Sequence, residues 1–368
     1  MKKFLALVLA LCMVFALCAC GKSSGKSGTS VAMITDYGDI TDQSFNQTTY
    51  EACKEFCEGA KLNFNYYKPA SDSDDDRVGM IEKAIDDGYN VIVMPGYAFG
   101  GAIQTVVPAY PDVTFIALDV SEGDIGDLAS AIPSNLYCAV YQEELCGYMA
   151  GYAAVKLGYT KLGFLGGMAV PAVVRYGYGF VQGCDAAAAA LGLKDVEVKY
   201  AYGNQFFGDA DITAAMDTWY QGGTEVVFAC GGGIYTSAAE AAAKVGGKVI
   251  GVDVDQSFTI DGSYGEGMTV TSAMKGLAAT VNTELKAVVD GKFVGGKVDT
   301  LGLVGNDPAA NYVQIPTTTQ WGAGFSEADY KTLVADMFAG KITVSNDIAK
   351  AAGDFATVIT VDDQGNIK

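Results

Sequence analysis

Histidine is absent from all 368 residues. That absence removes Ser-His-Asp and Cys-His hydrolytic arrangements, HExxH zinc sites and facial-triad iron together, because each needs an imidazole as base or ligand. Positive charge is scarce as well: 24 Lys and Arg stand against 43 Asp and Glu, a net charge of -19. A surface that acidic repels phosphate backbones, and no basic stripe or helix-turn-helix offsets it, which argues against nucleic acid as a partner and against a soluble transcription regulator. Long apolar runs are confined to Phe4 through Leu17, shorter than the roughly 20 residues a membrane span needs. Zinc spacing is missing among the cysteines that follow residue 20, namely Cys53, Cys57, Cys138, Cys146, Cys184 and Cys230. Cys53 and Cys57 lie one helical turn apart, where a disulfide does not close readily, so all six are read as small core residues.

What is present begins with a leader. Lys2 and Lys3 precede the apolar run, which ends in Leu17-Cys18-Ala19-Cys20-Gly21. That order is a secretory signal peptide over residues 1–19, and its ending resembles the lipobox of bacterial lipoproteins, which implies lipidation at Cys20. The Gly/Ser/Lys-rich stretch that follows, over residues 20–30, is expected to be a flexible linker holding the protein by its lipid to the extracytoplasmic face of the cell membrane.

From Val31 onward short apolar strands alternate with helical stretches, the signature of α/β sheets covered by helices. Strands are expected at Val31–Ile34, Leu62–Tyr66, Val91–Met94, Thr114–Leu118, Leu162–Leu165, Val196–Tyr200, Val226–Ala229, Lys248–Gly251 and Met268–Thr271. Helices are expected over Ser44–Glu58, Asp76–Asp87, Glu143–Leu157, Tyr178–Leu191, Ile212–Gln221, Ile234–Lys244 and Ala273–Val289, with a further one at Glu327–Ala339. The series is βαβ twice over, and some 340 residues exceed what one core usually supports, so two Rossmann-like lobes follow. The expected N-terminal lobe is 31–135 plus 265–292 and the C-terminal lobe 136–264 plus 293–368, with chain crossings near Pro133–Tyr141, Ile260–Glu266 and Gly291–Val298.

Ligands of open α/β sheets sit beyond the carboxyl ends of the strands, and there the informative residues lie. Ile34 through Gln47 leaves a strand, turns and enters a helix, with Ser44 and Gln47 at capping-box spacing. This segment resembles the T-D-x-G-x-x-D-D-x-S-F-N-Q signature of the basic-membrane-protein (BMP/Med) family, purine-nucleoside-binding lipoproteins of ABC transporters. Tyr110–Asp119, Gly163–Gly167, Gly179-Phe180, Gly251–Gln256 and Thr271–Lys275 resemble that family's later blocks, in order. Thr41 stands where the family usually has Asp, and Gln43 where it has Lys. The resemblance implies a type I periplasmic-binding-protein fold with a three-stranded hinge, no enzymatic activity, no cofactor or metal, a purine nucleoside as ligand and an ABC transporter permease as partner.

In that reading Phe45 is one stacking platform for a flat base, worth about 1 to 3 kcal/mol per base. Phe207, with Phe206 as the alternative one residue earlier, is the other. Asp253, with Lys275 nearby in the family fold, suits the ribose diol, because a carboxylate accepts both hydroxyls in a fork. Asp36, Asn46 and Asp119 address the remaining polar edges. The same residues have plainer readings: Phe45 as a staple under a helix, the aspartates as helix caps. An EF-type loop started at Asp72 fails at Arg77 and Lys83, leaving Asp72–Asp76 as a solvated turn with a helix cap. Gly231–Gly233 lacks the Lys and Ser/Thr of a phosphate loop. A sugar or autoinducer receptor of the same fold, and a nucleoside-cleaving enzyme using the cleft carboxylates, are the competing functions.

Overall fold

The computed structural model describes residues 28–368; the leader and Cys20 lie outside the described residues. The elements are β1 (Ser30–Ile34), α1 (Phe45–Ala60), β2 (Asn63–Tyr67), α2 (Asp74–Asp86), β3 (Val91–Pro95), α3 (Gly100–Ala109), β4 (Thr114–Leu118), β5 (Leu136–Tyr141) and α4 (Glu143–Lys156). There follow β6 (Lys161–Gly166), α5 (Pro171–Leu191), β7 (Glu197–Tyr202), α6 (Ala210–Gln221), β8 (Val226–Cys230), α7 (Tyr235–Ala243), β9 (Lys248–Asp253), α8 (Ser257–Tyr264) and β10 (Thr269–Lys275). The chain closes with α9 (Leu277–Val289), β11 (Lys297–Leu301), β12 (Val313–Gln314), α10 (Glu327–Phe338) and β13 (Thr360–Asn366).

Two sheets result, a six-stranded one ordered β11-β5-β4-β3-β1-β2 and a seven-stranded one ordered β12-β10-β9-β8-β6-β7-β13. Strip the flanking strands and each lobe runs fifth, fourth, third, first, second strand: the same doubly wound unit twice, as the tandem βαβ pattern requires. The strands are parallel apart from β12, which runs antiparallel to β10. Their runs, such as Val91–Met94 and Val226–Cys230, are buried throughout because helices cover both faces. This is the type I periplasmic-binding-protein architecture.

The lobe boundaries differ from the expected ones. β5 pairs with β4 and so belongs to the first sheet, and the chain leaves that lobe at Gln142. Ile260–Glu266 is no crossing: α8 covers most of it, and β10 stays in the second sheet against β9, so the return lies at Gly276. The helix expected from Ala273 therefore starts only at Leu277, after a strand that runs to Lys275. The third passage lies between β11, which pairs with β5, and β12, not at Gly291–Val298. In each case strand membership is set by a hydrogen-bonded neighbour distant in sequence, which local patterning does not report.

Helices α4 and α5 pack backbone to backbone in the second lobe. A Cβ on Gly147 or Gly151 would lie 2.2 Å from the carbonyl oxygen of Tyr176 or Phe180, and one on Gly179 or Gly183 would lie 2.1 Å from that of Glu144 or Tyr148. These four glycines bring the start of α4, with Glu143, against the start of α5, with Arg175 and Tyr176. All six cysteines described are buried free thiols, and burial pushes Cys57 up to about 11 and Cys138 to about 12.

Candidate functional site

The carboxyl ends of both sheets face one another across a cavity of about 860 Å³. Asp36, Phe45, Asn46, Asp119, Phe207, Asp253 and Lys275 all line it. Each lobe contributes by the same topology: Asp119 follows the fourth strand of the first lobe and Asp253 ends the fourth strand of the second. Both sit in the left-handed region, at φ 59° and 66°, a conformation that aspartate tolerates better than most side chains. The result is a pair of carboxylates turned into the cleft from opposite walls.

Lys275 lies between them. Its Nζ is 2.5 Å from Asp119 Oδ2, 3.5 Å from Glu143 Oε1 and 3.8 Å from Asp253 Oδ1. Burial alone would push this lysine down, but the three carboxylates outweigh it and hold the ammonium charged. Its Nζ also stands 4.7 Å from the centre of the Phe45 ring, a cation–π contact. Arg175 donates from Nε to Glu143 Oε2 at 2.7 Å, a second cation, partly buried, at the same wall. Asp119 is raised to about 6, with desolvation the main cause and Lys275 opposing it.

The start of α1 is built differently from its expected capping box. Asp42, not Ser44, caps the helix, accepting from the backbone N–H groups of Ser44 at 2.9 Å, Asn46 at 2.9 Å and Gln47 at 3.1 Å. A carboxylate is the stronger acceptor at a helix N-terminus. The Ser44 hydroxyl is thereby free to donate across the cleft to Asp253 Oδ2 at 2.6 Å, while Tyr176 donates to Oδ1 at 3.3 Å. Gln47 accepts from the backbone and side-chain nitrogens of Gln43. Gln43 in turn accepts from Gln256 Nε2 at 3.0 Å and Thr259 Oγ1 at 3.1 Å on the second lobe.

Asp36 accepts from the N–H groups of Tyr37 at 2.6 Å and Gly38 at 2.7 Å, and burial nonetheless raises its pKa. Two buried acceptors in the cavity wall have no partner among the described residues: Asn46 Oδ1 and Asp119 Oδ1. Phe207 is not the inward ring. It is 61% exposed, whereas Phe206 lies on the backbone of Gly167 and Gly231, where a Cβ would fall 2.4 and 2.8 Å from its Cδ1. Both rings border the cavity, but only Phe206 is packed against its wall. Tyr37, Asp42, Ser44, Glu143, Arg175 and Tyr176 were not anticipated as site residues. For Arg175 and Tyr176 the signal lay in Pro171, a favoured first helical residue, which places the start of α5 seven residues before Tyr178.

A cavity between two α/β lobes, lined by aromatic rings and carboxylates and bridged by ion pairs and hydrogen bonds across the gap, defines a two-lobed substrate-binding protein. Residues 29–307 match the family described as ABC transporter substrate-binding protein PnrA-like. The chain is 27% identical over 322 residues to the ABC transporter nucleoside-binding protein BmpA of Lactococcus lactis, covering 81% of this chain and 87% of that one. It is 28% identical over 288 residues to basic membrane protein A2 of Borrelia garinii, covering 77% and 79%. Among solved structures, an ABC transporter solute-binding protein from Aeropyrum pernix superposes with a TM-score of 0.66 at 21% identity, covering 89% of this chain and 90% of that one. The chain belongs to the Bmp family of ABC-transporter substrate-binding proteins. No helix among the described residues is long and apolar enough to cross a membrane.

Proposed function

We propose that this protein captures a purine nucleoside between its lobes and delivers it to an ABC transporter permease, while a lipid on Cys20 retains it at the extracytoplasmic face of the cell membrane. The observation that carries the reading is the cavity wall itself. Phe45 on one lobe and Phe206 on the other offer flat apolar faces, suited to a base. Asn46 Oδ1 and Asp119 Oδ1 are buried acceptors awaiting donors, and an unmet buried acceptor costs about 1–3 kcal/mol. Base N–H groups and ribose hydroxyls are such donors. Asp253, already held by Ser44 and Tyr176, presents its carboxylate to the ribose diol. The lining carboxylates Asp36, Asp39, Asp42, Asp72, Asp119, Asp124 and Asp253 outnumber Lys68, Arg175 and Lys275, so an anionic phosphate is disfavoured and nucleosides are preferred to nucleotides. The name of the Lactococcus relative points the same way. Binding energy is used to shift an open–closed equilibrium rather than to drive bond cleavage.

Calorimetry against inosine, guanosine, adenosine, ribose, arabinose and galactose tests the reading. Submicromolar to micromolar binding of a nucleoside is expected, with the pentoses and galactose at least a hundredfold weaker. Sugar binding in its place, or steady release of free base from inosine over many turnovers, would sink it.

The cleft carboxylates also set a pH dependence. Asp119 is raised to about 6 by burial, so it is ionised at pH 7.5 and protonated at pH 5. A protonated carboxyl loses its anionic acceptor strength, hence affinity is lost as pH falls through about 6. Between pH 6.5 and 5 the dissociation constant should rise roughly tenfold. Asp119→Asn should flatten that profile; an unchanged slope would assign the titration elsewhere.

A further inference from the structure

One ring in the cavity wall has no part in the reading above. Tyr37 follows β1, which lies beyond β11, β5, β4 and β3 from the edge of the first sheet where the chain crosses between lobes, and Phe206 follows β7, which lies beyond β10, β9, β8 and β6. Both therefore stand on the side of the cleft away from the three crossings. Their rings meet across the gap at 5.9 Å between centroids and 19° between planes. At that spacing stacked rings already touch, and no base fits between them. Both rings line the cavity, so the pair forms one border of it.

The pair is braced on both sides. The Tyr37 hydroxyl reaches Met168 Sδ on the second lobe at 3.7 Å. The Arg77 guanidinium lies 5.7 Å from the Tyr37 ring centre, is itself buried, and is fixed by Asp72 and Asp74. Behind Phe206, Gly167 and Gly231 leave no space for the ring to retreat.

We propose that Tyr37 is a specificity-determining residue, the outer clasp of the cleft: it shuts on Phe206 whenever the lobes close and so sets residence time and the length of guest that can be enclosed. The choice of probe rests on the nucleoside reading; the clasp itself does not. A guest with a substituent reaching past Phe206 holds the two rings apart and forfeits the contact. Because the clasp is made as the lobes close, with a guest or without one, and a guest enters while they are open, it governs escape more than capture.

Stopped-flow binding of inosine to the purified protein separates these rates. Tyr37→Ala should leave association within about twofold and speed dissociation about three- to tenfold, the range an aromatic pair supplies. Tyr37→Phe, which keeps the ring, should dissociate like the parent. Small-angle scattering of the ligand-free protein provides the second readout: Tyr37→Ala should enlarge the mean radius of gyration, Tyr37→Phe should not. Unchanged dissociation in Tyr37→Ala overturns the proposal, as does a slower association with the same dissociation rate. Should the parent bind no nucleoside, the nucleoside reading fails, and scattering alone decides the clasp: equal radii for parent and Tyr37→Ala reject it.

Discussion

Lys275→Met is expected to lower the unfolding free energy at pH 7.5 by about 3–5 kcal/mol, the cost of stranding buried charge when one partner is removed. The lysine contacts Asp119, Glu143 and Asp253 within 3.8 Å and is almost fully buried. Methionine keeps the apolar stem against Phe45, Tyr141 and Tyr176 but supplies no charge, leaving three buried carboxylates beside Arg175. The folded-state pKa of Asp119, already raised by burial and held down by Lys275, then rises further above its unfolded value. For a raised carboxylate the penalty is present above the folded pKa and relieved as pH falls through it, opposite in sign to the usual salt-bridged aspartate. Urea denaturation at pH 7.5 and pH 5.5 should therefore show the variant recovering a substantial part of its deficit at the lower pH. A deficit below 1 kcal/mol, or one equal at both values, would mean that the ammonium is not what makes those carboxylates tolerable.

That network also marks where sequence reading stops. The carboxylates after strands were legible, because open α/β sheets put ligand groups at strand ends and a short apolar run followed by Asp is a local pattern. Asp36, Asp119 and Asp253 were found that way. Lys275 was named from family position, yet its helix was expected to begin at Ala273; the polar Thr269–Thr271–Lys275 side of β10 does not read as strand until its pairing with β9 is known. Glu143 and Arg175 were invisible as site residues for a different reason. A charged residue at a helix start is most often a solvated one, and only the glycine-mediated approach of α4 to α5 buries this pair.

The remaining differences have equally specific causes. Choosing between Phe206 and Phe207 required the path of a bent loop after β7, which no periodicity supplies. Ser44 was assigned to the helix cap because Ser at that spacing caps well; Asp42 is the better acceptor, and its presence releases Ser44 to the opposite lobe. β11 and β13 lack an apolar run, since KVDTL holds two apolar residues and TVDDQGN one, as suits edge strands. The doubly wound order of each lobe, by contrast, follows from the alternation of buried strands and amphipathic helices.

Asp253→Ala is expected to weaken nucleoside binding a hundredfold or more, the loss of two charge-assisted hydrogen bonds worth about 1.5–3 kcal/mol each. Two effects act together. The ribose loses its fork, and Ser44, which bridges to Asp253 from the other lobe at 2.6 Å, loses the acceptor that draws the first lobe down. Asp253→Asn separates them, since an amide oxygen still accepts from Ser44 but offers one acceptor to the diol instead of two. It should fall between parent and alanine, with closure by small-angle scattering near that of the parent. If the alanine variant bound inosine as tightly as the parent, the carboxylate would have no place in the ligand site. If asparagine and alanine were equally weak while both closed normally, the interlobe hydrogen bond would contribute nothing, and the ribose fork alone would account for the loss.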